Sequence, residues 1–577
     1  MFPFLYRQIE NLVSFVSPKK QEEKDQCAFP YAQKPWFSQY AAGVPKSIEI
    51  PNLTLTDIFD QAVRSNPQND AVVYFGRRLT FEQLQDYVLR AAFSFDDWGV
   101  VKRDRIALIM PNIPQFLICY WALLRLGAVA VPINPFLAPD EIRQQLKISG
   151  SRIVIVFDRV SYKLQASSLQ RVIKVCAGSY MPFFPKTVYK VRKKFMPGAA
   201  TARLRVPINA FRRFLKQRRL EYSTPVNPDD AAVMLFTGGV TGIPKGVMLT
   251  HKNLVANTLQ CQAWVADIQT AREKVLGVLP FFHSYGLSAC LHLSIFIRST
   301  LLLVPKFSTG KIIDLINKYE ISIFPGVPTM YSNIVRRLSL SHVSIHPVRI
   351  SISGGAPLSY EIQNEFETLT GGRLVEGYGL TEASPITHCN PLDGTARPQS
   401  IGLPYPNTEA RITRPESNTC VPVGEVGELQ VRGPQVMPGY WNAAKETEHI
   451  MTADGWMRTG DLAKMDQDGF FYIVDRLKDV ILFGGFNVYP SEVERVLNQH
   501  PHIQESAVVG EPDPVYGEIV SAFVIPVQGK VTLSQVKLFL NDKLARYKMP
   551  RKLTCVDQLP RNFIGKILRR HLIQNET

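Results

Sequence analysis

Hydrophobic positions in the first third of the chain follow two spacings, one typical of helices and one typical of strands. Residues 54–67 open with a Thr/Asp cap and carry apolar side chains at helical spacing, which predicts a helix. The same reasoning predicts strands at 71–75, 105–110, 128–133 and within 147–157, and helices at 79–95 and 116–127. Alternating strands and helices imply parallel sheets covered on both sides, so the predicted fold class is α/β.

The pattern changes in the last third of the chain. Short β-rich segments separated by Gly and Pro turns predict a small β subdomain over about 391–475. Two strands and a helix beyond it predict a compact α+β domain. At 577 residues the chain is too long for one core, and the predicted domains are 1–475 and 476–577, with 1–50 as an irregular arm.

Apolar composition does not predict a membrane span. The longest apolar stretch, 116–131, contains Arg125 and is short for a bilayer, so it predicts a buried helix that runs into a strand. The N-terminal segment is interrupted by Arg7 and Glu10, which argues against a secretory signal. Eight scattered cysteines without a CxxC pair fit a reducing cytosol and argue against structural zinc.

Positive charge is concentrated in one part of the chain, residues 180–220, called here the basic segment. The net charge is +16, and this segment holds twelve basic residues and no acidic one. They are Lys186, Lys190, Arg192, Lys193, Lys194, Arg203, Arg205, Arg212, Arg213, Lys216, Arg218 and Arg219. Aromatic residues are interleaved with them, which suits an anionic membrane surface, where each basic residue contributes about 1 kcal/mol. A solvated basic loop and a nucleic-acid surface are the alternatives, although no nucleic-acid motif accompanies the charge.

A glycine-rich stretch at 235–251 follows a short apolar run. Its glycines let backbone N–H groups approach a phosphate chain, while its threonines and Lys245 add donors and positive charge. The Gly-Lys-Ser/Thr of a Walker A loop is missing. The stretch predicts a phosphate loop of another type, and a glycine-rich structural turn is the alternative.

Five further motifs occur in a fixed order: 351–359 (SISGGAPLS), 376–385 (EGYGLTEASP), 457–461 (MRTGD), 475–494 and 560–570. Together with the phosphate loop they resemble the adenylate-forming superfamily, which includes acyl-CoA synthetases, luciferases and peptide-synthetase adenylation domains. The TGG form of the loop, the basic segment and GKILRR near the C-terminus are most similar to bacterial long-chain fatty-acid–CoA ligases. The resemblance implies two parallel-sheet subdomains plus a small β-barrel, followed by a mobile α+β C-terminal domain.

The resemblance also implies an ATP site. Its residues would be Thr237, Gly238, Gly239, Thr241, Gly242 and Lys245 at the β- and γ-phosphates, Gly355, Ala356, Pro357, Tyr378 and Gly379 around adenine, and Asp461 and Arg476 at the ribose. One position departs from the family, because Val240 stands where a hydroxyl residue is usual. A side-chain bond to a charged group contributes about 1.5–3 kcal/mol, so weaker ATP binding without loss of activity is expected.

The implied chemistry joins a carboxylate to the α-phosphate of ATP, so two anions must meet. Positioning and charge neutralisation are then the main needs. The resemblance assigns Glu382 to a magnesium ion, which prefers one or two carboxylates with phosphate oxygens and water. It assigns Thr381 to the α-phosphate and Lys566 to the bridge between substrate carboxylate and α-phosphate, a task that suits an ammonium on a flexible stem.

A second half-reaction with a thiol requires Lys566 to leave, and in the family the C-terminal domain rotates between the two steps. Lys478 matches the hinge position. Gly484 and Gly485 would let a pantetheine chain pass, although an ordinary turn at a strand end would also need them. The basic residues that could bind the phosphates of coenzyme A are Arg546, Lys548, Arg551 and Lys552, but such charges also occur on any exposed loop.

The acyl chain is expected in the N-terminal domain, where Phe282, His283 and Gly286 would contact it by resemblance. The predicted function is an ATP-dependent ligase that activates a long-chain fatty acid as acyl-adenylate and transfers it to coenzyme A, releasing AMP and pyrophosphate. Adenylation of medium-chain or aromatic acids, carrier-protein loading, and a lipid-binding protein with a degenerate site are the alternatives. We expect a cytoplasmic protein, peripheral on the inner face of the membrane, with fatty acid, ATP, Mg²⁺ and coenzyme A as partners. Nucleic acid is not expected, and a homodimer is left open.

Overall fold

The computed structural model describes most of the chain from residue 31 onward. The described residues are 31–164, 169–183, 185–187, 189, 208–215, 218–222, 224–237, 244–341, 343–415, 417–561 and 566–573. Four sheets, with helices around them, make up this part of the chain.

The strands are numbered in chain order. They are β1 (Asp70–Tyr74), β2 (Arg77–Thr80), β3 (Arg105–Ile109), β4 (Val129–Pro132), β5 (Ile153–Phe157), β6 (Arg171–Val175), β7 (Ile208–Ala210), β8 (Ala231–Thr237), β9 (Lys245–Thr250), β10 (Lys274–Gly277), β11 (Thr300–Leu303), β12 (Ile323–Gly326), β13 (Ile350–Ser353), β14 (Leu374–Gly379), β15 (Ile386–Cys389), β16 (Leu403–Pro404), β17 (Glu409–Thr413), β18 (Gly427–Arg432), β19 (Gly439–Tyr440), β20 (Met457–Met465), β21 (Phe471–Arg476), β22 (Ile481–Phe483), β23 (Phe486–Val488), β24 (Ile503–Asp513), β25 (Gly517–Pro526) and β26 (Lys552–Cys555).

The α-helices follow the same numbering. They are α1 (Leu55–Ser65), α2 (Phe81–Asp96), α3 (Pro114–Arg125), α4 (Pro139–Ser149), α5 (Phe211–Phe214), α6 (His251–Trp264), α7 (Leu293–Phe296), α8 (Thr309–Tyr319), α9 (Pro328–Ser341), α10 (Tyr360–Thr370), α11 (Ala444–Ile450), α12 (Pro490–Leu497), α13 (Leu533–Leu540) and α14 (Arg570–Ile573). A π-helix, Gly286–His292, runs directly into α7.

Two large sheets carry the N-terminal part of the fold. One has eight strands in the order β19-β9-β8-β4-β3-β5-β6-β7, and the other has nine in the order β16-β15-β14-β13-β12-β10-β11-β1-β2. Both are parallel in the middle, as predicted, but β8–β9–β19, β14–β15–β16 and β1–β2 pair antiparallel. The hydrophobic pattern does not predict these antiparallel edges, because it carries no information on strand direction and because β16 and β19 have only two residues each.

Local sequence explains where individual helices begin and which are buried. At α1 the hydroxyl of Thr54 accepts a bond from the Asp57 N–H (3.2 Å), and the Asp57 carboxylate accepts one from the Thr54 N–H (2.8 Å), which is the predicted cap. Every residue of α3 except Arg125 is buried, and the chain continues into the buried strand β4. The apolar stretch at 116–131 is therefore a core helix followed by a strand, as predicted.

A four-stranded antiparallel sheet follows in the order β17-β18-β20-β21. This sheet corresponds to the predicted small β subdomain, and a bridge between Gly402 and Phe471 connects its last strand to the residues that precede β16. The last sheet has the order β23-β22-β25-β24, with β26 beside β25. Its helices α12 and α13 cover a separate core that includes Val493, Val520 and Val536.

Within the described part of the chain, every helix is too short or too polar to cross a bilayer. Six cysteines of the described residues carry free thiols. No cluster of three or more His, Cys, Asp and Glu side chains suited to a metal ion occurs among those residues.

Candidate active site

The phosphate loop joins two paired strands. Strands β8 and β9 are antiparallel neighbours, and Thr237 lies opposite Lys245 in their register. The core of the loop, with Gly238, Gly239, Val240, Thr241 and Gly242, lies outside the described residues. The structure therefore places the two ends of the predicted loop side by side, in strands next to the short edge strand β19 of the eight-stranded sheet.

Lys245 and Glu382 share one aromatic neighbour. The Lys245 Nζ lies 5.1 Å from the centroid of the Tyr440 ring, and the Tyr440 hydroxyl donates a hydrogen bond to Glu382 Oε1 (2.8 Å). A cation over an aromatic face is attracted to the ring. The predicted phosphate-binding lysine and the predicted metal ligand are thus brought to the same place by a residue that the sequence analysis did not single out.

Thr381 and Glu382 lie in a single short turn, Thr381–Ala383, that follows β14. The hydroxyl oxygens of Thr381 and Ser284 are 3.3 Å apart, which links this turn to the segment that precedes the π-helix. The backbone carbonyl of Glu382 accepts a bond from the Met437 N–H (2.8 Å). Glu382 is therefore held through its main chain as well as its carboxylate.

The predicted adenine wall is built by close packing of glycines. A Cβ at Gly354 would lie 2.9 Å from the Tyr285 ring, and a Cβ at Gly379 would lie 2.0 Å from the Pro385 carbonyl oxygen. Gly355 has φ +83°, a conformation that side chains disfavour. The segment from Gly355 through Ala356 to Pro357 then leads into α10, so it lies at the carboxyl end of β13, where parallel sheets commonly bind ligands.

Tyr378 and Asp461 are directly bonded. The Tyr378 hydroxyl donates to Asp461 Oδ2 (2.6 Å). Burial and the neighbouring Asp461 charge raise the pKa of Tyr378 well above its usual value, so the phenol keeps its proton and remains a donor. Tyr378 was expected to offer a flat face to adenine; its hydroxyl in addition orients the predicted ribose-binding carboxylate.

Asp461 also pairs with Arg476 across two neighbouring strands. The two residues are opposite each other in the β20–β21 register, and Arg476 Nε lies 3.3 Å from Asp461 Oδ1. Asp461 is only 8% exposed, so this ion pair is shielded from water more than a surface pair. Both residues predicted at the ribose are therefore in contact.

Lys566 lies in the same charged neighbourhood. Burial lowers its pKa to about 8, the positive charge of Arg476 acts in the same direction, and Asp461 and Asp479 act against them. The C-terminal lysine is thus close enough to Asp461 and Arg476 for their charges to be felt. The structure brings together a predicted catalytic residue and two predicted ATP ligands that are distant in sequence.

The predicted acyl contacts cluster at the start of the π-helix. Phe282 is buried, and a Cβ at Gly286 would lie 2.3 Å from the Pro280 carbonyl oxygen, so only glycine fits there. Burial lowers the pKa of His283 to about 4, which makes this imidazole neutral near pH 7. A nearby apolar cavity, lined by residues such as Tyr285, Ala289 and Leu293, measures about 20 Å³, which is far too small for an acyl chain.

Gly484 and Gly485 form the turn between β22 and β23. Their φ values are +55° and +87°, and a two-residue hairpin turn with positive φ at both positions favours glycine for local reasons alone. The structural explanation therefore accounts for both glycines, and a role in passing coenzyme A stays a prediction. Lys478 lies in the short turn Leu477–Asp479, between β21 and β22.

Most of the predicted coenzyme A cations already have partners. Lys548 donates to both carboxylate oxygens of Glu492 (2.7 and 2.8 Å). Lys552 pairs with Glu511 (3.1 Å), and the Arg551 guanidinium lies 4.2 Å from the Tyr516 ring centroid. Arg546 is exposed. Of the four residues, Arg546 is the one whose position most favours contact with an incoming phosphate.

One residue at the site has no role in the sequence-based prediction, namely Tyr440. Ser284 and Tyr285 lie inside the segment that is predicted to contact the acyl chain, between His283 and Gly286, although neither is assigned a role of its own there. Tyr440 stands in Gly-Tyr-Trp, between longer β-rich segments. An isolated aromatic pair in a turn-rich stretch was the available signal.

Known proteins resemble this chain over nearly its full length. A family model described as AMP-binding enzyme matches residues 59–441, and one for the AMP-binding enzyme C-terminal domain matches 492–566. A long-chain-fatty-acid–CoA ligase of Bacillus subtilis (strain 168) is 39% identical over 557 residues, which cover 95% of this chain and 99% of that protein.

Solved structures agree with these matches. ATP-bound MatB from Rhodopseudomonas palustris superposes with a TM-score of 0.76 at 29% identity, covering 91% of this chain and 99% of that one. The o-succinylbenzoate CoA synthetase MenE of Bacillus subtilis, in complex with its acyl-adenylate intermediate, gives a TM-score of 0.74 at 27% identity, covering 90% and 98%.

Proposed function

Because this chain belongs to the AMP-binding enzyme family, we propose that it is an ATP-dependent long-chain fatty acid–CoA ligase. It forms an acyl-adenylate with release of pyrophosphate, then passes the acyl group to the thiol of coenzyme A with release of AMP. The observation that carries this proposal is the contact of Asp461 with both Tyr378 and Arg476, with Lys566 near enough for the charges of Asp461 and Arg476 to act on its amine. A full-length relative of 39% identity with the same activity in its name supports the substrate class.

The first half-reaction brings two anions together. The fatty carboxylate is already ionised near pH 7, so it needs no general base. Lys566 supplies a positive charge between the carboxylate and the α-phosphate. Because Lys566 is partly buried, its ammonium attracts these anions more strongly than an exposed lysine would. The carboxylate oxygen attacks the α-phosphorus, and the bond to the pyrophosphate leaving group breaks.

The residues at Glu382 fit a magnesium ion. Glu382 is a carboxylate beside the predicted phosphate site, and its Oε1 is oriented by Tyr440. Such a site suits magnesium, which takes few protein ligands and completes its shell with phosphate oxygens and water. When bound, the ion neutralises phosphate charge. Thr381, in the same turn, offers its hydroxyl to the α-phosphate.

The nucleotide lies between the phosphate loop and Asp461. Thr237, Lys245 and the loop between them bind the β- and γ-phosphates. Tyr378 packs on adenine opposite the segment 354–357, and the Asp461 carboxylate accepts the ribose hydroxyls. The close contacts of Gly354 and Gly379 support a narrow slot of this kind.

Coenzyme A enters after the C-terminal part of the chain, 476–577, has rotated about Lys478. This rotation removes Lys566 and brings the Gly484–Gly485 turn to the site. A separate hydrophobic core in the C-terminal sheet supports movement as a unit. Arg546 is the first candidate for the coenzyme A phosphates, and Lys548 would have to exchange its Glu492 partner.

The acyl chain lies beside Phe282, His283 and Gly286. A neutral imidazole does not hold a carboxylate by charge, so His283 contacts the acyl group near the mouth of the pocket rather than binding its anion. The π-helix Gly286–His292 widens the helix locally, and such segments occur often at functional sites.

The basic segment docks the enzyme on an anionic membrane. Phe183 is 86% exposed, and Arg212 and Arg213 are exposed between two buried aromatics. The turn between β1 and β2 lies beside the basic segment, because Arg77, directly after this turn, is 5.4 Å from the Tyr180 ring centroid. Phe75 in the same turn is 45% exposed. Exposed aromatics flanked by cations suit a membrane surface. The remaining basic residues of the segment that lie outside the described residues are Lys190, Arg192, Lys193, Lys194, Arg203, Arg205 and Lys216.

The proposed function is tested by pyrophosphate release from purified protein with fatty acids of graded chain length, with and without coenzyme A. We expect release that depends on the fatty acid, and acyl-CoA with AMP as products when coenzyme A is present. Release with aromatic acids alone, or acyl transfer to a carrier protein in preference to coenzyme A, contradicts the proposal.

A further inference from the structure

Tyr440 contacts both cation-handling parts of the site, although neither the motifs nor the family resemblance assigned it a role. We propose that Tyr440 is a positioning residue that fixes the Glu382 carboxylate for a divalent cation and holds the Lys245 ammonium toward the phosphates. This inference rests on the proposed function, because it presumes that Glu382 and Lys245 act on a metal-bound nucleotide.

The bond to Glu382 has a definite direction. The Tyr440 hydroxyl donates to Oε1 at 2.8 Å, because a carboxylate oxygen accepts hydrogen bonds. A carboxylate has several lone-pair sites, so accepting this bond fixes its rotamer and still leaves it able to ligate a cation.

The backbone on either side of the Tyr440 ring is hydrogen-bonded to its neighbours. Strand β19 pairs antiparallel with β9, so that Tyr440 lies opposite Val247, and the Trp441 N–H donates to the Gly246 carbonyl (2.7 Å). The Tyr440 N–H donates to the Thr447 hydroxyl (2.9 Å). Lys245 is the first residue of β9, so the Tyr440 ring and the Lys245 ammonium above it belong to two paired strands, β19 and β9.

The same segment also holds Glu382 from its other side. Met437 donates its N–H to the Glu382 carbonyl, while Tyr440 donates to the carboxylate. Residues 437–440 therefore tie the turn that carries Glu382 to the hairpin that carries Lys245. A residue that only filled space would need its ring but not its hydroxyl, and this difference gives the test.

The test compares Tyr440→Phe, which removes the hydroxyl only, with Tyr440→Leu, which also removes the ring. Binding of Mn²⁺ to the enzyme with a non-hydrolysable ATP analogue is followed by electron paramagnetic resonance. We expect Tyr440→Phe to weaken Mn²⁺ binding about 10-fold or more, the usual effect of removing the partner of a metal ligand. The adenylation rate should recover at high Mg²⁺. Tyr440→Leu should in addition raise the KM for ATP at saturating Mg²⁺.

Tyr472→Phe is a matched control, because the Tyr472 hydroxyl also donates to a carboxylate, that of Asp466 (3.1 Å), within the small β-sheet. Its Mn²⁺ binding should equal that of the wild type. A double-mutant cycle with Glu382→Gln keeps the test independent of folding, since Tyr440→Phe should then have little further effect on Mn²⁺ binding.

Equal Mn²⁺ binding by wild type and Tyr440→Phe, or the same loss with and without Glu382→Gln, overturns the positioning role. A wild-type protein that releases no pyrophosphate with any fatty acid overturns the proposed function instead, so the two failures are distinguishable.

Discussion

The Asp461 carboxylate and the Arg476 guanidinium face each other across β20 and β21, with Arg476 Nε 3.3 Å from Asp461 Oδ1. One oxygen of Asp461 meets this arginine and the other meets the Tyr378 hydroxyl. These two contacts, one at each oxygen, fix the orientation of the Asp461 carboxylate. A fixed carboxylate suits recognition of two adjacent hydroxyls, since little freedom is lost on binding.

Asp461→Asn should weaken ATP binding with a small effect on folding. The amide keeps the shape but loses the charge, and a bond to a charged group contributes about 1.5–3 kcal/mol, so the KM for ATP should rise about 10- to 100-fold. Steady-state pyrophosphate release measures it. Asp454→Asn, which removes a carboxylate paired with Arg411 in the same sheet, should leave the KM for ATP unchanged. An unaltered KM for Asp461→Asn contradicts the ribose assignment.

Lys566→Ala should separate the two half-reactions. Adenylation from fatty acid should fall about 100-fold or more, because a charged group at the developing negative charge is lost. Thioester formation from supplied acyl-adenylate should be largely retained, since Lys566 is expected to have left the site by then. Lys537→Ala, an exposed lysine on α13, serves as the control for charge removal. Equal losses in both half-reactions contradict the assigned role.

The lowered pKa of Lys566 predicts how adenylation depends on pH. The amine is protonated below its pKa of about 8 and neutral above it, so kcat/KM for ATP should be highest below pH 8 and fall as the pH rises through that value. Lys566→Arg keeps its charge at every assay pH and should lose this alkaline limb. A wild-type profile that stays flat to pH 9.5 shows that the charge of Lys566 is not needed.

Lys478→Pro should have the opposite effect to Lys566→Ala. Proline fixes φ near −65° and thereby restricts rotation of the backbone at the proposed hinge. Thioester formation should fall while adenylation is retained, and single-turnover assays of each half-reaction measure this. Lys478→Ala, which leaves the backbone free, should behave like the wild type. Full thioester formation by Lys478→Pro argues against rotation at this residue.

Membrane docking predicts a salt-sensitive loss on neutralising exposed arginines. Arg212→Gln with Arg213→Gln should weaken binding to phosphatidylglycerol vesicles about 10-fold, since each basic residue contributes about 1 kcal/mol. Added salt should reduce the difference from wild type. The pair Arg336→Gln and Arg337→Gln removes equal charge from the exposed face of α9 and is the control. If all variants bind vesicles equally, the basic segment is a solvated loop and does not bind the membrane.

The sequence predicted best those parts of the molecule in which hydrophobic period and local chemistry agree. The cap at Thr54, the buried helix at 116–127 and the strand before the phosphate loop all follow from neighbouring residues. Tyr440 could not be found this way, because its partners Lys245 and Glu382 are brought to it by pairing between distant segments. Likewise, the ion pair between Lys548 and Glu492 could not be predicted from the sequence, because only the fold brings these two distant residues together.

One oxygen of Asp461 accepts a hydrogen bond from the Tyr378 hydroxyl, and the other forms an ion pair with Arg476. A ribose bound at Asp461, as proposed above, would therefore exchange places with the Tyr378 hydroxyl at one carboxylate oxygen. On release of AMP, the Tyr378 hydroxyl would return to the same oxygen, so that in the proposed reaction the buried carboxylate would have a donor in both states.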